Sequence, residues 1–240
     1  MIWRKQRSGW KTVPLHGAHR GSVAVICCNG PSLAEVDASR LPGAGRVVLA
    51  LNSAYPKVRP DYWMGMDTME NYDAALLGEP FPKLLRGTYQ DHQWNGAPLA
   101  AYPGVMFADV SERAGFLDWT ERAIFHWPKN TLFIGLQFAL WLGCRTIYLV
   151  GVDLDNAQKD YADGSYLTDE QRAYNAQLYA EQFARLASTV EHTEECGVQW
   201  VSGSAGSKIN KLMPFVPAEK FLPAIEAQVP RGRAKLHVLP

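Results

Sequence analysis

Short apolar runs alternate with polar, glycine-containing turns along this chain, and that alternation is typical of an α/β protein. Three of the runs, 22–28, 46–51 and 145–150, are nearly unbroken and rich in β-branched residues. A strand that is apolar on both faces indicates a parallel sheet covered by helices on both sides. We therefore predict a Rossmann-like α/β fold, with an open, mostly parallel sheet and helices on both faces.

Weaker patterns supply the remaining elements. Asn130 or Thr131 can cap a helix that ends at Gly143, and the spacing of its apolar residues indicates an amphipathic helix. We predict further strands at 62–66, 83–87, 104–108, 122–126 and 198–201, and further helices at 68–77, 171–194 and 207–212, with a short one after residue 31. Residues 1–240 are expected to form a single domain, with 154–185 as a lid over a ligand site and 217–240 as a surface tail.

Composition and charge exclude several classes of protein. Of the 240 residues 47% are hydrophobic, which excludes a disordered chain, and 24 Lys and Arg balance 24 Asp and Glu, which argues against a dedicated nucleic-acid binder. No apolar run reaches the ~18–20 residues of a membrane span, since Gly135 and Gln137 interrupt 132–143. The four cysteines have no metal-ligand spacing. We therefore expect a cytoplasmic protein with reduced thiols.

Small and polar residues collect where the predicted parallel strands end. In an open α/β sheet, ligands bind outside the carboxyl ends of the strands, because the loops there meet at one edge. The residues at or just after these ends are Asn29, Gly30, Ser32, Asn52, Asp67, Gly151 and Asp153. We therefore predict a ligand site at this edge of the sheet.

The residue types at these ends favour a phosphorylated ligand. The turn 29–33 lacks both the dinucleotide fingerprint and the P-loop. It still places backbone N–H groups and the Ser32 hydroxyl at a helix N-terminus, where phosphate binds well. Thr131 begins the long helix, and Lys129 supplies a positive charge that can stabilise a leaving phosphate. Ordinary helix capping explains the turn 29–33 and Thr131 as well, so both interpretations stay open.

Two carboxylates and two tyrosines extend the candidate site. Asp67 and Asp153 could bind Mg²⁺, hold a ribose or act as a general base, although either could instead cap a helix. Asn52 could hydrogen bond a base or ribose, or simply belong to a turn. Tyr161 and Tyr166 flank an Asp-Gly pair in the predicted lid, where their phenols could close over a phosphate or remain solvated.

Five segments of the sequence are similar to one known family. Residues 28–33 read Cys-Asn-Gly-Pro-Ser-Leu, 35–37 read Glu-Val-Asp and 39–42 read Ser-Arg-Leu-Pro. Together with 140–153 and 206–210, these resemble the bacterial lipo-oligosaccharide sialyltransferases, which use CMP-sialic acid. The resemblance covers roughly residues 22–216 and implies a Rossmann-like fold with a lid.

The resemblance also implies which side chains hold the donor nucleotide: Asn29, Asn52, Thr131 and Tyr161. The sequence departs from the family at three points. No histidine lies between His126 and His192, so the lid histidine taken as general base has no counterpart. Lys129 stands where an arginine is expected, and Asp155 stands where a second lid tyrosine is expected.

Other residues resemble a second family. Asn-Ser-Ala at 52–54, Pro-Asp-Tyr at 60–62 and Asp67 are similar to the 6-hydroxymethylpterin diphosphokinase-like proteins, which share the Asn-Gly-Pro-Ser-Leu type of turn. This group includes an ATP-dependent enzyme that moves diphosphate onto a pterin. The resemblance implies an alternative function as an ATP-dependent diphosphokinase.

We expect a transferase that moves a sugar from a nucleotide-activated donor, with a CMP-sugar favoured, to the hydroxyl of a small-molecule or glycan acceptor. The expected catalytic residues are Asp67, Lys129 and Asp153, and the expected nucleotide-binding residues are Asn29, Gly30, Ser32, Asn52, Thr131, Gly151, Tyr161 and Tyr166. A CMP-sugar donor requires no cofactor, whereas a diphosphate or ATP donor would favour Mg²⁺. The diphosphokinase, an inactive nucleotide-binding module and a homo-oligomer remain open.

Overall fold

The computed structural model describes residues 1–112, 117–154 and 168–229. Its strands are β1 Ile2–Gln6, β2 Gly9–Thr12, β3 Val23–Cys27, β4 Arg46–Leu51, β5 Tyr62–Met64, β6 Lys83–Arg86, β7 Gln93–Trp94, β8 Ala97–Pro98, β9 Val105–Ala108, β10 Val110–Ser111, β11 Phe125–His126, β12 Thr146–Val150 and β13 Gln199–Ser202. Its α-helices are α1 Thr131–Trp141, α2 Asp169–Glu194 and α3 Ala218–Gln228. Its 3-10 helices are Pro31–Glu35, Ala38–Arg40, Asn52–Ala54, Met69–Asn71, Ala74–Gly78, Gly87–Tyr89, Leu99–Ala101 and Lys208–Lys211.

Nine of these strands form one sheet in the order β13-β12-β3-β4-β5-β6-β9-β1-β2. The first seven run parallel, and β1 pairs antiparallel with both β9 and β2. The three strongest sequence runs, now β3, β4 and β12, lie side by side, and every residue of β3 is buried. The predicted open, mostly parallel sheet is confirmed.

Helices cover both faces of the sheet, as predicted. Leu136 and Phe138 of α1 and Leu186 of α2 pack in the core on one face. Phe221 of α3 packs in the core on the other face, edge-on to Tyr148 of β12 with ring centroids 5.4 Å apart. The sheet is therefore shielded from water on both sides, which explains why its central strands are apolar throughout.

Helix α1 is buried all round rather than amphipathic as predicted. One side packs on the sheet, and the other packs under Phe125, which lies 6.5 Å from the Phe138 ring. Gln137 is the polar residue that interrupts its apolar sequence, and it is 0% exposed. Its amide accepts from the His126 N–H at 2.9 Å and donates to the Ile124 carbonyl oxygen at 3.0 Å. The side chain is therefore fully used in holding the 118–126 segment.

Residues 68–77 form two 3-10 helices instead of the predicted α-helix. The chain is extended at Tyr72 (φ −124°, ψ 162°), between the two turns. Tyr72 packs edge-on against Trp63 with ring centroids 4.8 Å apart, and Asp73 caps the second turn by accepting from the Ala75 N–H. The aromatic contact fixes a conformation that local helix propensity would not select.

The two ends of the described chain also differ from the sequence prediction. Residues 218–228 were expected in a surface tail, but they form α3, whose Phe221 and Ile225 are fully buried against the sheet. Residues 2–12 form an unforeseen hairpin on the far edge, where Trp10 lies edge-on to Phe107 at 5.9 Å. No α-helix among the described residues has the length and apolar character that a membrane crossing demands. All four cysteines are free thiols.

Candidate functional site

A cleft of about 450 Å³ opens at the carboxyl edge of the parallel strands. Four loops, the start of α1 and one side of α2 contribute its walls. Of the residues singled out from the sequence, the cleft is lined by Asn29, Gly30, Asn52, Asp67, Lys129, Thr131, Gly151 and Asp153. Residues that are separated by up to about half of the chain therefore meet at one place. Tyr161 and Tyr166 lie outside the described residues.

Two glycines let the loops after β3 and β12 cross in close contact. The Gly30 N–H donates to the Gly151 carbonyl oxygen at 2.9 Å, and a Cβ on Gly30 would lie 2.2 Å from Asp153 Oδ2. Gly151 has a φ of +72°, and a Cβ there would lie 2.1 Å from the Cys28 carbonyl oxygen. Only glycine fits both positions, so this part of the cleft floor depends on them.

Ser32 departs from the prediction. Its side chain is 3% exposed, does not line the cleft and makes no capping hydrogen bond to the 3-10 helix Pro31–Glu35. Asp153 caps this 3-10 helix instead, because the crossing of the two loops brings its Oδ2 to 3.0 Å from the Ser32 N–H. We therefore remove Ser32 from the nucleotide-binding set, and we assign Asp153 a role in holding the crossed loops.

Asn52 is held from two sides at the end of β4. Trp63 Nε1 donates to its carbonyl oxygen at 2.8 Å, and the Tyr72 hydroxyl donates to its Oδ1 at 3.2 Å. The Tyr72 hydroxyl also accepts from the Asp67 N–H at 3.1 Å. Burial, followed by the charge of Asp67, raises the pKa of Tyr72 far above its usual value, so the hydroxyl stays a donor. With Oδ1 engaged by Tyr72, the amide nitrogen of Asn52 is the group left to meet a ligand.

The start of α1 brings a cation and a hydroxyl to the opposite side. Asn130 caps the helix, since its Oδ1 accepts from the Leu132 N–H at 2.7 Å. Thr131 is 5% exposed and Lys129 is exposed, and both line the cleft. Because the cap already uses one of the first N–H groups, the Thr131 hydroxyl and the Lys129 ammonium are the stronger candidates for an anion.

Left-handed backbone conformations concentrate at the cleft. Among the described residues, four that are not glycine have a positive φ, and three of them line it: Asn52 at 50°, Lys129 at 55° and Leu154 at 49°. Such conformations are unfavourable for residues with a Cβ, above all for Lys and Leu, and they cluster at functional sites. Packing around the cleft therefore maintains a backbone that these residues would not adopt alone.

The part of helix α2 that falls within the predicted lid 154–185 supplies a wall whose residues the sequence analysis did not name. Asn175, Leu178, Tyr179 and Gln182 line the cleft from one face of the helix, at the spacing i, i+3, i+4 and i+7. Trp127 lines the cleft as well, and its ring stacks on the Arg86 guanidinium at 4.3 Å. In the sequence, the amide side chains of Asn175 and Gln182 interrupt the buried stripe of α2, and this interruption could have indicated the wall.

The Cys28 thiol lines the cleft but does not serve as a nucleophile there. Burial raises the pKa of the Cys28 thiol to about 12, with a smaller effect from Asp153, so this cysteine is protonated and not a nucleophile at neutral pH. In the part of the chain that the structure describes, no three His, Cys, Asp or Glu side chains are grouped closely enough to hold a metal ion. A smaller cavity of about 180 Å³ adjoins the cleft and shares Asn52, Ser53 and Tyr72 with it.

No protein-family model matches the sequence, and no curated protein matches it. Some solved structures show a distant likeness. CstII of Campylobacter jejuni with the substrate analogue cytidine-5'-monophosphate is 16% identical, with a TM-score of 0.47 over 83% of this chain and 86% of that chain. The sialyltransferase CST-II with a trisaccharide acceptor and CMP is 14% identical, with a TM-score of 0.47 over 82% and 87%.

The monofunctional alpha-2,3-sialyltransferase Cst-I of Campylobacter jejuni is 14% identical, with a TM-score of 0.45 over 81% of this chain and 80% of that chain. At such identities, and with TM-scores below 0.5, the likeness decides neither the fold nor the function of this chain.

Proposed function

We propose that this protein is a glycosyltransferase-like transferase that binds a nucleotide-activated sugar, of the CMP-sugar type, in the carboxyl-edge cleft. The observation that carries the proposal is the meeting of Asn29, Asn52 and Thr131 in that one cleft, whose volume of about 450 Å³ suits a small ligand. The sequence resemblance described above favours CMP as the nucleotide. The acceptor is a hydroxyl compound that enters beside the donor sugar.

Opposite walls of the cleft bind different parts of the donor. The Lys129 ammonium and the Thr131 hydroxyl face the donor phosphate, because a cation and a hydroxyl are the groups that complement its charge. The amide nitrogen of Asn52 and the carboxylate of Asp67 lie on the side of β4 and β5, where they suit sugar hydroxyls. In the proposed complex, the bond between sugar and phosphate lies between these two pairs of side chains.

In the proposed reaction the acceptor hydroxyl attacks the anomeric carbon of the donor sugar. The bond from that carbon to the phosphate oxygen breaks, CMP leaves with the electron pair, and the hydroxyl proton moves to a carboxylate. Lys129 and Thr131 stabilise the charge that develops on the departing phosphate. Since the leaving group is a phosphate monoester, these residues supply the stabilisation that a diphosphate would take from Mg²⁺.

Asp67 is the better candidate for the general base. Asp153 Oδ2 already accepts the Ser32 N–H at 3.0 Å and holds the crossed loops. The Asp67 side chain is exposed to the cleft, with Oδ2 3.4 Å from the Tyr72 hydroxyl. Of the two predicted carboxylates, Asp67 is therefore the one that can reach a proton on a bound acceptor.

Titration calorimetry with CMP, UDP, GDP and ATP, each with and without Mg²⁺, tests the binding step. We expect CMP to bind without Mg²⁺, and Asn52→Ala to weaken binding about tenfold through loss of one buried hydrogen bond. Asn95→Ala is the matched control, because Asn95 also has a positive φ (46°) but lies in the β7–β8 turn. Failure of all four nucleotides to bind at millimolar concentration contradicts the proposal.

Product chromatography tests the transfer step. A CMP-sugar and a glycan acceptor should yield free CMP together with the extended glycan. Release of AMP from ATP in the presence of a hydroxymethylpterin would instead establish the diphosphokinase. A rise in melting temperature with CMP, and no turnover of any donor, would establish a binding module without catalysis.

A further inference from the structure

One side chain in the cleft wall is buried but unsatisfied. Gln182 of α2 is 9% exposed and lines the cleft, and its Oε1 is fully buried without a hydrogen-bond partner among the described residues. A buried amide oxygen without a donor destabilises a folded chain, so native structures contain few of them. The position therefore calls for a physical explanation.

Other buried polar side chains near α2 are fully used by the protein. Thr193, about three turns further along the same helix, donates to the Thr189 carbonyl oxygen at 2.7 Å and accepts from Trp200 Nε1 at 3.0 Å. Gln137 of α1, on the same face of the sheet, bonds backbone groups with both ends of its amide. Of the described side chains with a buried polar atom that has no partner, Ser32, Trp141 and Asn210 lie outside the cleft lining, whereas Gln182 belongs to it and can therefore meet a bound ligand.

The neighbours of Gln182 indicate which part of a ligand reaches it. Leu178 and Tyr179 line the cleft from the same helix face, and Trp127 lines it nearby, with Tyr179 and Trp127 packed against one hydrophobic core. An apolar and aromatic wall suits the flat face of a nucleobase. Phosphate carries no proton to donate to Oε1 at neutral pH, and Lys129 and Thr131 already suit it.

We propose that Gln182 reads the base of the bound nucleotide, with its amide turning toward the cleft so that Oε1 accepts a hydrogen bond from an exocyclic amino group. The inference rests on the proposed function and deepens it, because it makes an amino-bearing base such as cytosine the preferred one over uracil. Gln182 is then a specificity-determining residue, and a bound base offsets the cost of burying its amide oxygen without a partner.

Titrations of CMP and UMP into the wild type and Gln182→Met test this role. Met has a similar volume and helix propensity, so the helix is retained while the amide is lost. We expect the wild type to favour CMP over UMP about tenfold, and Gln182→Met to abolish that preference by weakening CMP alone. Gln177→Met is the control, since Gln177 is exposed on the same helix and does not line the cleft.

Thermal unfolding without ligand is the second measurement. Removing an unsatisfied buried amide should raise the melting temperature of Gln182→Met by about 2–4 °C, with no change for Gln177→Met. Equal affinity of the wild type and Gln182→Met for CMP overturns the role of Gln182 and leaves the proposed function standing. Equal loss of both nucleotides, or a lower melting temperature, also overturns it. Wild type that binds neither nucleotide overturns the proposed function itself.

Discussion

Polar side chains have different surroundings at the amino and carboxyl ends of the parallel sheet. At the amino edge, His19 Nε2 and the Tyr62 hydroxyl share a hydrogen bond of 2.9 Å, and Asp61 Oδ2 accepts from the Val48 N–H at 2.9 Å. Arg145 donates there to two carbonyl oxygens, at 2.8 and 3.0 Å. Each of these groups is bonded to the chain itself, so this edge stabilises the fold.

At the carboxyl edge, polar side chains line a cleft. Gln182 Oε1 is buried without a partner among the described residues, and the ammonium of Lys129 is exposed in the cleft. Lys129 and Leu154 also hold left-handed backbone conformations there. The groups named at the amino edge are bonded within the chain and stabilise the fold, whereas Lys129 and Gln182 line the cleft, where a ligand can bond them. Changes at the two edges should therefore separate stability from binding.

Asp61→Ala at the amino edge has the largest expected effect on stability. Asp61 is 8% exposed, and its loss leaves the buried Val48 N–H without an acceptor. We expect the free energy of unfolding, measured by urea denaturation, to fall by about 3 kcal/mol, while the affinity of the folded protein for CMP stays unchanged. Asp61→Asn keeps an acceptor and should lose less than half as much. A loss of CMP affinity in either variant would break the distinction between the edges.

Lys83 at the start of β6 makes the stability dependent on pH. It is 0% exposed, its Nζ donates to the Glu79 carbonyl oxygen, and burial lowers the pKa of Lys83 to about 8, with Glu79 opposing the shift. Between about pH 8, the pKa of Lys83 in the folded chain, and pH 10.5, the ordinary lysine pKa, the unfolded chain binds more protons than the folded chain. The free energy of unfolding therefore rises with pH across this window.

We expect Lys83→Met to raise the free energy of unfolding by about 2 kcal/mol at pH 7, where the folded wild type must bury a charge. The advantage should shrink as the pH rises from 8 toward 10.5, because the wild type then loses its proton. Urea denaturation at a series of pH values measures both effects, with Lys57→Met, at an exposed position, as control. A difference that does not vary with pH would show that Lys83 folds without a shifted pKa.

Lys129→Ala at the carboxyl edge should change binding without changing stability. Lys129 is exposed, and its positive φ of 55° is equally unfavourable for Ala, so the free energy of unfolding should stay within about 0.5 kcal/mol. Loss of the cation should weaken CMP about tenfold and leave cytidine, which has no phosphate, unaffected. Lys129→Arg should restore most of the affinity. Equal weakening of CMP and cytidine would exclude a phosphate contact.

Tyr72→Phe gives the smallest expected effect. It removes the hydroxyl that donates to Asn52 Oδ1, so the amide of Asn52 gains freedom to rotate. We expect CMP affinity to fall about threefold. Tyr102→Phe is the control for CMP affinity, because the Tyr102 hydroxyl donates to the Trp94 carbonyl oxygen away from the cleft, as the Tyr72 hydroxyl donates to Asn52 Oδ1 beside it. Unchanged affinity would show that Tyr72 does not position Asn52.

The sheet and its carboxyl edge were predictable because they depend on local patterns and general topology. A strand buried on both faces is apolar along its whole length, and β4 has the predicted bounds, 46–51. Parallel strands bring their carboxyl ends together whatever their order, so Asn29, Asn52 and Gly151 had to fall at one edge. Their convergence followed from the fold class alone.

The remaining features depend on contacts between distant parts of the chain. Ser32 makes no side-chain cap, and its own N–H is instead bonded by Asp153, 121 residues away in the chain. Gln182 lies in a helical stripe that continues into the core at Leu186, and only the placement of α2 shows that its end faces the cleft. The N-terminal hairpin forms because β1 pairs with β9, roughly one hundred residues later. Local propensity carries none of this information.

A crystal structure of the protein with CMP would show directly where the nucleotide binds. We predict CMP in the carboxyl-edge cleft, with phosphate oxygens within about 3.2 Å of the Lys129 Nζ or the Thr131 hydroxyl, and with the base against the α2 face that carries Gln182. CMP bound at any other surface, or bound in the cleft with its phosphate remote from both Lys129 and Thr131, would contradict this prediction.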